Sequence, residues 1–415
     1  MIQLSTQNKK KIINDPVHGF INISHDIIFD LIEHRYFQRL RRISQLGLTN
    51  YVYPGANHTR FQHALGAVHL MGQAIDIIRS KGHTISDTEA EAVTIAILLH
   101  DIGHGPFSHT LEKTIIKGIS HEEISMAYFD ILNQEFNNKL NLAIEIFKNH
   151  YYKKFLHQLV ASQLDMDRMD YLLRDSFYSG VSEGIIGSER IIKMLDVKND
   201  QLVVEAKGIY SVEKFLVARR LMYWQVYLHK TVIVAEKILI RIFERAIYLL
   251  NNNYKLPVSD NLAYFLENKI NLNDENQRNL AIEKFSLLDD NDIISIVKSW
   301  CEHDDFILSE LCKSLINRKL FKIEIQTRKF EKEKTELIKK KIASHYKISN
   351  DEADFLIIQD FISIHAYDES YDRINILFKN GELKDITEAS DLLNHDVLSR
   401  KVKKYYLIYP KQIQL

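Results

Sequence analysis

Apolar residues recur at three- and four-residue spacings through long stretches of the chain: HDIIFDLIEHRYFQRLRRISQL, HALGAVHLMGQAIDIIRS, DTEAEAVTIAILLHD and SVEKFLVARRLMYWQVYLHKTVIVAEKILIRIFERAIYLL. That period lines up one helix face, so the pattern predicts amphipathic or buried helices from about Ile27 onward. Ahead of them, KKIINDPVHGFINI sets two β-branched runs around a turn holding Pro16 and Gly19, which predicts a short hairpin. After about residue 320 the texture changes: a Lys/Glu-rich helix, FEKEKTELIKKKIASHY, leads into the alternating runs FLIIQDFISI, DRINILFKNGELKDI and KYYLIYP. The expected class is mainly α, with a helical core and extension over residues 1–320 and a small α+β lobe over 321–415. No linker rich in Pro, Ser or Gly separates the two, and the FEKEKTELIKKK run reads as a solvated helix face.

Composition narrows the partners. The chain has 415 residues, 46% of them hydrophobic, enough for a substantial core. Its 54 basic and 55 acidic side chains leave a charge of -1, so no net field gathers a polyanion and nucleic acid is not an expected partner. A small anionic ligand needs only a local basic cluster. The N-terminal MIQLSTQNKKKIIND lacks the apolar length of a signal peptide, and no window approaches the roughly 20 apolar residues of a membrane span. A cytoplasmic protein without a membrane partner is expected. Cys301 and Cys312 are too few for a disulfide framework or a cysteine metal site and read as core residues.

Histidine changes the picture. Eight of the eighteen (His58, His63, His69, His83, His100, His104, His109 and His121) fall in one short span, and HDIGHGPFSH packs three imidazoles and an aspartate into ten positions broken by Gly103, Gly105 and Pro106. AVTIAILL before His100 is apolar all round, as in a helix buried on every side, where an unsatisfied His-Asp pair is costly. Neighbours on a helix point about 100° apart, so His100 and Asp101 share an ion only at the helix edge, and further ligands must come from other helices. His63 in TRFQHALG is the nearest candidate, on a helix that starts at a Thr cap. LDMDRMDYLLRD offers a second carboxylate from Asp165, Asp167, Asp170 or Asp175. Two imidazoles and two carboxylates with open positions suit a divalent Mn, Fe, Ni, Zn or Mg ion that would acidify a bound water, the equipment of a hydrolase. HDIGH also has the spacing of zincin proteases, but Gly103 and Gly105-Pro106 end the continuous helix that motif needs, and Asp101 is shorter than the Glu that serves there as base.

RFQHALG, LLHDIGHGPFSH and DMDRMDYLLRD, preceded by NDPVHGFI and YFQRLRRISQLG, resemble the HD-domain phosphohydrolases, specifically the deoxynucleoside triphosphate triphosphohydrolases of the sterile-alpha-motif and HD-domain protein type. The resemblance covers about residues 10 to 240 and implies an HD core and C-terminal lobe with no sterile-alpha-motif segment. It implies His63, His100, Asp101 and Asp167 as metal ligands, and attack of a metal-activated water on the α-phosphorus to release a deoxynucleoside and inorganic triphosphate. His104, His109 and His121 would then converge on the phosphates, with His109 the general acid for the leaving 5′ oxygen and Glu112 and His121 a second proton-handling pair.

The same resemblance implies triphosphate contacts from Arg60, Arg168 (in place of a frequent lysine) and Arg219, a grip on the sugar 3′-hydroxyl from Gln45 and Asp175, and packing of Tyr171 and Tyr227 that leaves no room for a 2′-hydroxyl. Leu228 stands where a glutamine lies near the base, which leaves base preference open. It also implies activation by a nucleotide, GTP or a dNTP, in a homo-oligomer such as a tetramer, with Lys11, Gln38 and Arg41 binding a guanine nucleotide at a subunit interface and Arg190 and Lys207 contacting a neighbouring nucleotide. Glu33 and Glu205 depart from that pattern, and QRLRRI also reads as the basic face of a helix. The alternatives are an HD phosphatase or phosphodiesterase on another nucleotide and a nucleotide sensor without turnover.

Overall fold

A computed structural model of the chain describes residues 11–116, 118–364, 367, 372–392 and 402–414. The first ten residues, on which much of the expectation of no signal peptide rests, lie outside the described residues. The expected hairpin is β1 (Lys11–Asp15) paired antiparallel with β2 (Gly19–Ile23), Ile13 opposite Ile21. Asp15 closes its turn by accepting the backbone N–H groups of Val17 and His18.

The periodic stretch that follows divides into α1 (Asp26–Glu33) and α2 (Arg35–Gln38), because His34 takes an extended backbone and its ring accepts the N–H of Tyr36. Helix α3 (Arg60–Ser80) opens with a reciprocal Thr59/Gln62 cap and α4 (Asp87–Leu99) with a Ser86/Glu89 cap, each satisfying donors that a helix start leaves free. Ala92 to Leu99 are all buried, so α4 runs through the core. Around it stand α5 (His109–Ile115), α6 (His121–Glu135), α7 (Asn141–Phe147), α8 (Lys154–Val160) and α9 (Met166–Ser179), the last stopped by Gly180 at φ 72°. Next come α10 (Ser188–Met194) and the strands β3 (Leu195–Lys198) and β4 (Gln201–Glu205), a hairpin the helical reading missed.

The long pattern over residues 211–250 does not form one rod. Helix α11 (Ile209–Met222) widens into a π-helical turn at Tyr223–Tyr227 and breaks at His229 before α12 (Lys230–Asn251). Four further helices, α13 (Asp260–Glu267), α14 (Glu275–Ser286), α15 (Asp290–Trp300) and α16 (Phe306–Ile316), complete the helical part. Beyond it β5 (Lys322–Gln326), α17 (Lys332–Tyr346), β6 (Ile358–Ile364) and β9 (Val402–Tyr409) form a three-stranded sheet β5-β9-β6 with its helix. In α17 only Ile338 and Ile342 are fully buried. Strands β7 (Asn375–Leu377) and β8 (Leu383–Asp385) instead complete the sheet β3-β4-β7-β8, β7 lying parallel to β4. The C-terminal segment is thus stitched to the core by backbone hydrogen bonds. No helix among the described residues is long and apolar enough to cross a membrane.

Candidate active site and metal centre

Two helices and one helix end bring His63, His100, Asp101 and Asp167 to a common point. His63 lies on the first turn of α3, His100 and Asp101 follow α4, and Asp167 lies on the first turn of α9. Ligand atoms of His63, His100 and Asp101 fall within 4.8 Å of one another, and Asp167 Oδ1 lies 3.0 Å from His63 Nε2 and 3.4 Å from His100 Nε2. Both imidazoles are oriented from behind: Asp170 Oδ2 is 2.7 Å from His63 Nδ1 and the Ile97 carbonyl is 2.6 Å from His100 Nδ1. With Nδ1 donating, each Nε2 presents its lone pair to the common point, and both Nε2 atoms are buried without a hydrogen-bond partner. Two such nitrogens facing two carboxylates fit a divalent cation with mixed N and O ligands. Electrostatics agree. Burial penalises charge on His63, yet the Asp167 and Asp170 carboxylates push it up to about 10, so with no other cation there the ring takes a second proton to offset them, and a metal ion at Nε2 would displace that proton. Against the same penalty, His100 and Arg60 hold Asp101 well below the usual carboxylate range, and His100 and His63 lower Asp167. The centre holds negative charge that calls for a cation.

Asp170, one of the four aspartates open in the sequence, serves as support. It accepts from His18 Nε2 at 2.6 Å and from Arg174 Nε at 2.9 Å, and Arg174 reaches on to Asp15 at 2.7 Å. This cluster crosses α3 where Gly66 has no side chain; a Cβ there would lie 1.9 Å from Asp170 Oδ1 and 2.3 Å from Arg174 Nη2. Asp165 is the N-cap of α9, accepting the Arg168 backbone N–H at 2.7 Å.

The HDIGHGPFSH turn supplies the second group. Phe107 and Ser108 both have positive φ, 52° and 47°, a conformation costly for residues with side chains and held by neighbours. Asp290, at the start of α15, accepts the N–H of Phe107 and of Ser44, each at 2.8 Å, and buried Arg39 donates to the carbonyls of Ile102 (3.0 Å), His104 (2.7 Å) and Leu288 (3.2 Å). Gly103 lets the turn touch α6, since a Cβ would sit 2.2 Å from the His121 carbonyl. The result is a triangle of imidazoles, with ring centres 4.0 Å apart for His104–His121 and 5.1 Å for His104–His109 and His109–His121. Glu112 accepts from His121 Nδ1 at 3.0 Å and from His109 Nδ1 at 3.2 Å, leaving their Nε2 atoms outward. Hydrogen bonding to His109, with His121 adding to it, holds the Glu112 carboxyl down at about 2. Burial, reinforced by Arg60, lowers His104 well below the ordinary histidine range, so it is neutral.

Both groups border one cavity of about 360 Å³, within the size range of small-molecule sites. Of the residues named from sequence, Gln45, Arg60, Asp101, His104, His109, His121, Asp167, Arg168, Tyr171, Asp175 and Tyr227 line it, while His63 and His100 lie behind Asp101 and Asp167. Arg60 is committed to Asp101 and to Ser108 Oγ (2.9 Å), and Arg168 to the Ser162 carbonyl (2.6 Å). Asp175 accepts from Tyr227 at 2.7 Å and is held by His58 Nε2 at 2.8 Å. Buried Gln45 Oε1 has no hydrogen-bond partner. Arg219 is outside the lining and donates to Gln163 at 2.9 Å.

The residues expected to hold activating nucleotides include two surface pairs. Arg41 donates to Gln38 at 2.8 Å and Arg190 to the Lys207 carbonyl at 3.1 Å, while Lys11 lies over Phe29. Glu205 is neutralised by Lys81 at 2.6 Å.

Sequence reasoning missed Arg39, His58, Asp290, Tyr223 and Glu236. The last two line the cavity, and burial pushes the Glu236 carboxyl up to about 7. His58 was visible in the histidine-rich span without a role; the others stand in ordinary helical patterns and carry no local signal.

Models described as HD domain and HD associated region match residues 60–175 and 186–261. A crystal structure of a phosphohydrolase from Bacteroides thetaiotaomicron has a TM-score of 0.93 at 53% identity, covering 97% of this chain and 100% of that one. The uncharacterized protein YwfO of Bacillus subtilis is 32% identical over 98% of this chain and 93% of its own length. The deoxynucleoside triphosphate triphosphohydrolase SAMHD1 homolog of Dictyostelium discoideum is 34% identical over 54% of this chain and 47% of its own, so the match spans about half of that relative.

Proposed function

The chain belongs to the HD-domain phosphohydrolases, and from that premise we propose that it is a metal-dependent deoxynucleoside triphosphate triphosphohydrolase, releasing a deoxynucleoside and inorganic triphosphate. The observation that carries the reading is a His63/His100/Asp101/Asp167 centre bordering a cavity that is also lined by His104, His109 and His121 and by Tyr171, Asp175 and Tyr227. A divalent cation held by those four residues would lower the pKa of water and draw charge from phosphoryl oxygens.

The chain's own groups do the rest. Neutral His104, its buried Nε2 unpartnered, can donate to a phosphate oxygen in the tautomer that carries its proton on Nε2. Arg60 and Arg168 bring positive charge to the cavity wall, where charge gathers in phosphoryl transfer. His109, oriented by Glu112 and with a side chain 68% exposed, reaches solvent to recover the proton it gives to the leaving 5′ oxygen; His121 on the same carboxylate is the relay. Tyr227 and His58 fix Asp175 to accept from a 3′-hydroxyl, and Tyr171 and Tyr227 narrow the space beside the sugar. In this reading Arg219 acts through Gln163, the Gln38–Arg41 pair with Lys11 holds an activating nucleotide between subunits, and the Arg190–Lys207 pair contacts a neighbouring one.

The test is to incubate the metal-loaded protein with each dNTP singly and in mixtures, with Mn2+ or Mg2+, and resolve products by mass. Deoxynucleoside plus triphosphate is expected, absent in Asp101→Ala. Orthophosphate as product, or equal turnover of ribonucleotides, would assign a different phosphohydrolase; nucleotide binding without any product would assign a sensor.

A further inference from the structure

We propose that a second cavity, on the far side of α3 from the metal centre, binds a neutral nucleoside. It has a volume of about 390 Å³ and lies between the β2–α1 connection, α3 and α4. Its wall includes Gly72, nine residues beyond His63 and so on the opposite face of the helix.

Gly72 is the feature that points to a ligand. Glycine inside a helix is less stable than alanine by about 1 kcal/mol. Gly66 in the same helix has a packing reason, but a Cβ built on Gly72 would meet nothing within 4 Å. Within this chain the position gains no contact from its missing side chain; a flat molecule resting against the helix backbone would. The chemistry around it selects the class. Ile28, Val68 and Ile75 are buried residues that give the wall apolar surface, and His69 and Gln73, joined at 2.9 Å, bring an imidazole and an amide to a lining that also holds Asn22, Ser24 and Thr94. Apolar surface mixed with uncharged donors and acceptors matches a nucleobase. A triphosphate is disfavoured. Arg79, the one arginine in the lining, is occupied by Asp87 (2.9 Å) and the Ile85 carbonyl (2.8 Å), and the exposed carboxylate of Asp76 also borders the cavity. A deoxynucleoside is also the product of the activity proposed above, so the site would sense product; that clause alone rests on the proposed activity.

Equilibrium dialysis of the full chain with deoxyguanosine, deoxyadenosine, thymidine and deoxycytidine tests the site without requiring catalysis. At least one should bind saturably, with affinity retained in Asp167→Ala and weakened about tenfold or more in Gly72→Leu, which fills the space over the helix. Gly72→Leu should keep its helical signal, elution volume and basal turnover; Gly72→Ala, a helix-favouring change that also intrudes on the ligand, provides a second variant. Four results would overturn the proposal: no saturable binding of any nucleoside, equal binding in both Gly72 variants, binding lost in Asp167→Ala, which places the nucleoside in the catalytic cavity, or a smaller assembly in Gly72→Leu, which makes a second copy the occupant.

Discussion

Arg39 illustrates how much one residue carries when its partners are backbone. Its guanidinium is fully buried and donates to three carbonyls, two of them in the turn that bears His104. Arg39→Met keeps the volume and removes every donor, so urea denaturation should show a loss of about 3 kcal/mol or more, with turnover falling alongside. Glu236 gives a pH prediction at the same scale. Burial raises its carboxyl to about 7, so the folded protein binds that proton more tightly than the unfolded chain does. The resulting stability is complete below the ordinary glutamate value near 4.5 and is lost as pH rises through about 7. Glu236→Gln, neutral at every pH, should therefore match the wild type at pH 4 and exceed it above pH 7 by about 3 kcal/mol or less; a gap independent of pH would refute the assignment.

At the scale of elements, the site is set by how closely α3, α9 and α6 approach the chain around them. Gly66 is the contact point between α3 and the Asp170–Arg174 cluster, and Gly103 that between the histidine turn and α6. Gly66→Ala should cost about 1–3 kcal/mol, despite alanine's better helix propensity, because both charged partners must move. Metal retention should drop with it, since Asp170 orients His63. The start of α3 was read from its Thr cap, and Ser86 with Glu89, three residues apart, is an equally local signal at the start of α4 that was passed over. The break at His229 was not, because periodicity continues through the π-helical turn and no Pro or Gly marks it. Strands β3 and β4 were missed for the converse reason: each is short, and β4 gains its second neighbour from β7, about 170 residues later in the chain.

For the whole molecule, cation binding and stability are linked. The four-ligand centre exists only when α3, α9 and the end of α4 are assembled, so an ion that binds there stabilises the fold by mass action, about 2.7 kcal/mol at a hundredfold excess over Kd. Chelation should lower the Tm, and Mn2+ should restore it. Asp101→Ala and Asp167→Ala should stay folded but show no metal-dependent shift; a shift equal to wild type would move the cation elsewhere. The sheet β3-β4-β7-β8 has a further consequence. Because residues 375–385 complete a sheet begun at 195–205, truncation after residue 320 should destabilise the helical part, measurable as a lower melting temperature for residues 1–320 alone.

What the sequence determined by itself was chemistry with short reach: the helical class, the hairpin, the capped helix starts, and a set of imidazoles and carboxylates too dense and too oddly placed on a broken helix to be ordinary packing. Each is legible because its cause lies within a few residues. Tertiary structure decided which carboxylate faces the centre and which stands behind it: Asp167 and Asp170 are three positions apart on one helix, and only the direction from which α3 crosses separates their roles. It also recruited Arg39, His58 and Asp290, whose partners lie more than sixty residues away. Such contacts leave no trace in local periodicity, because a side chain's pattern position is set by its own helix while its partner is set by how helices pack.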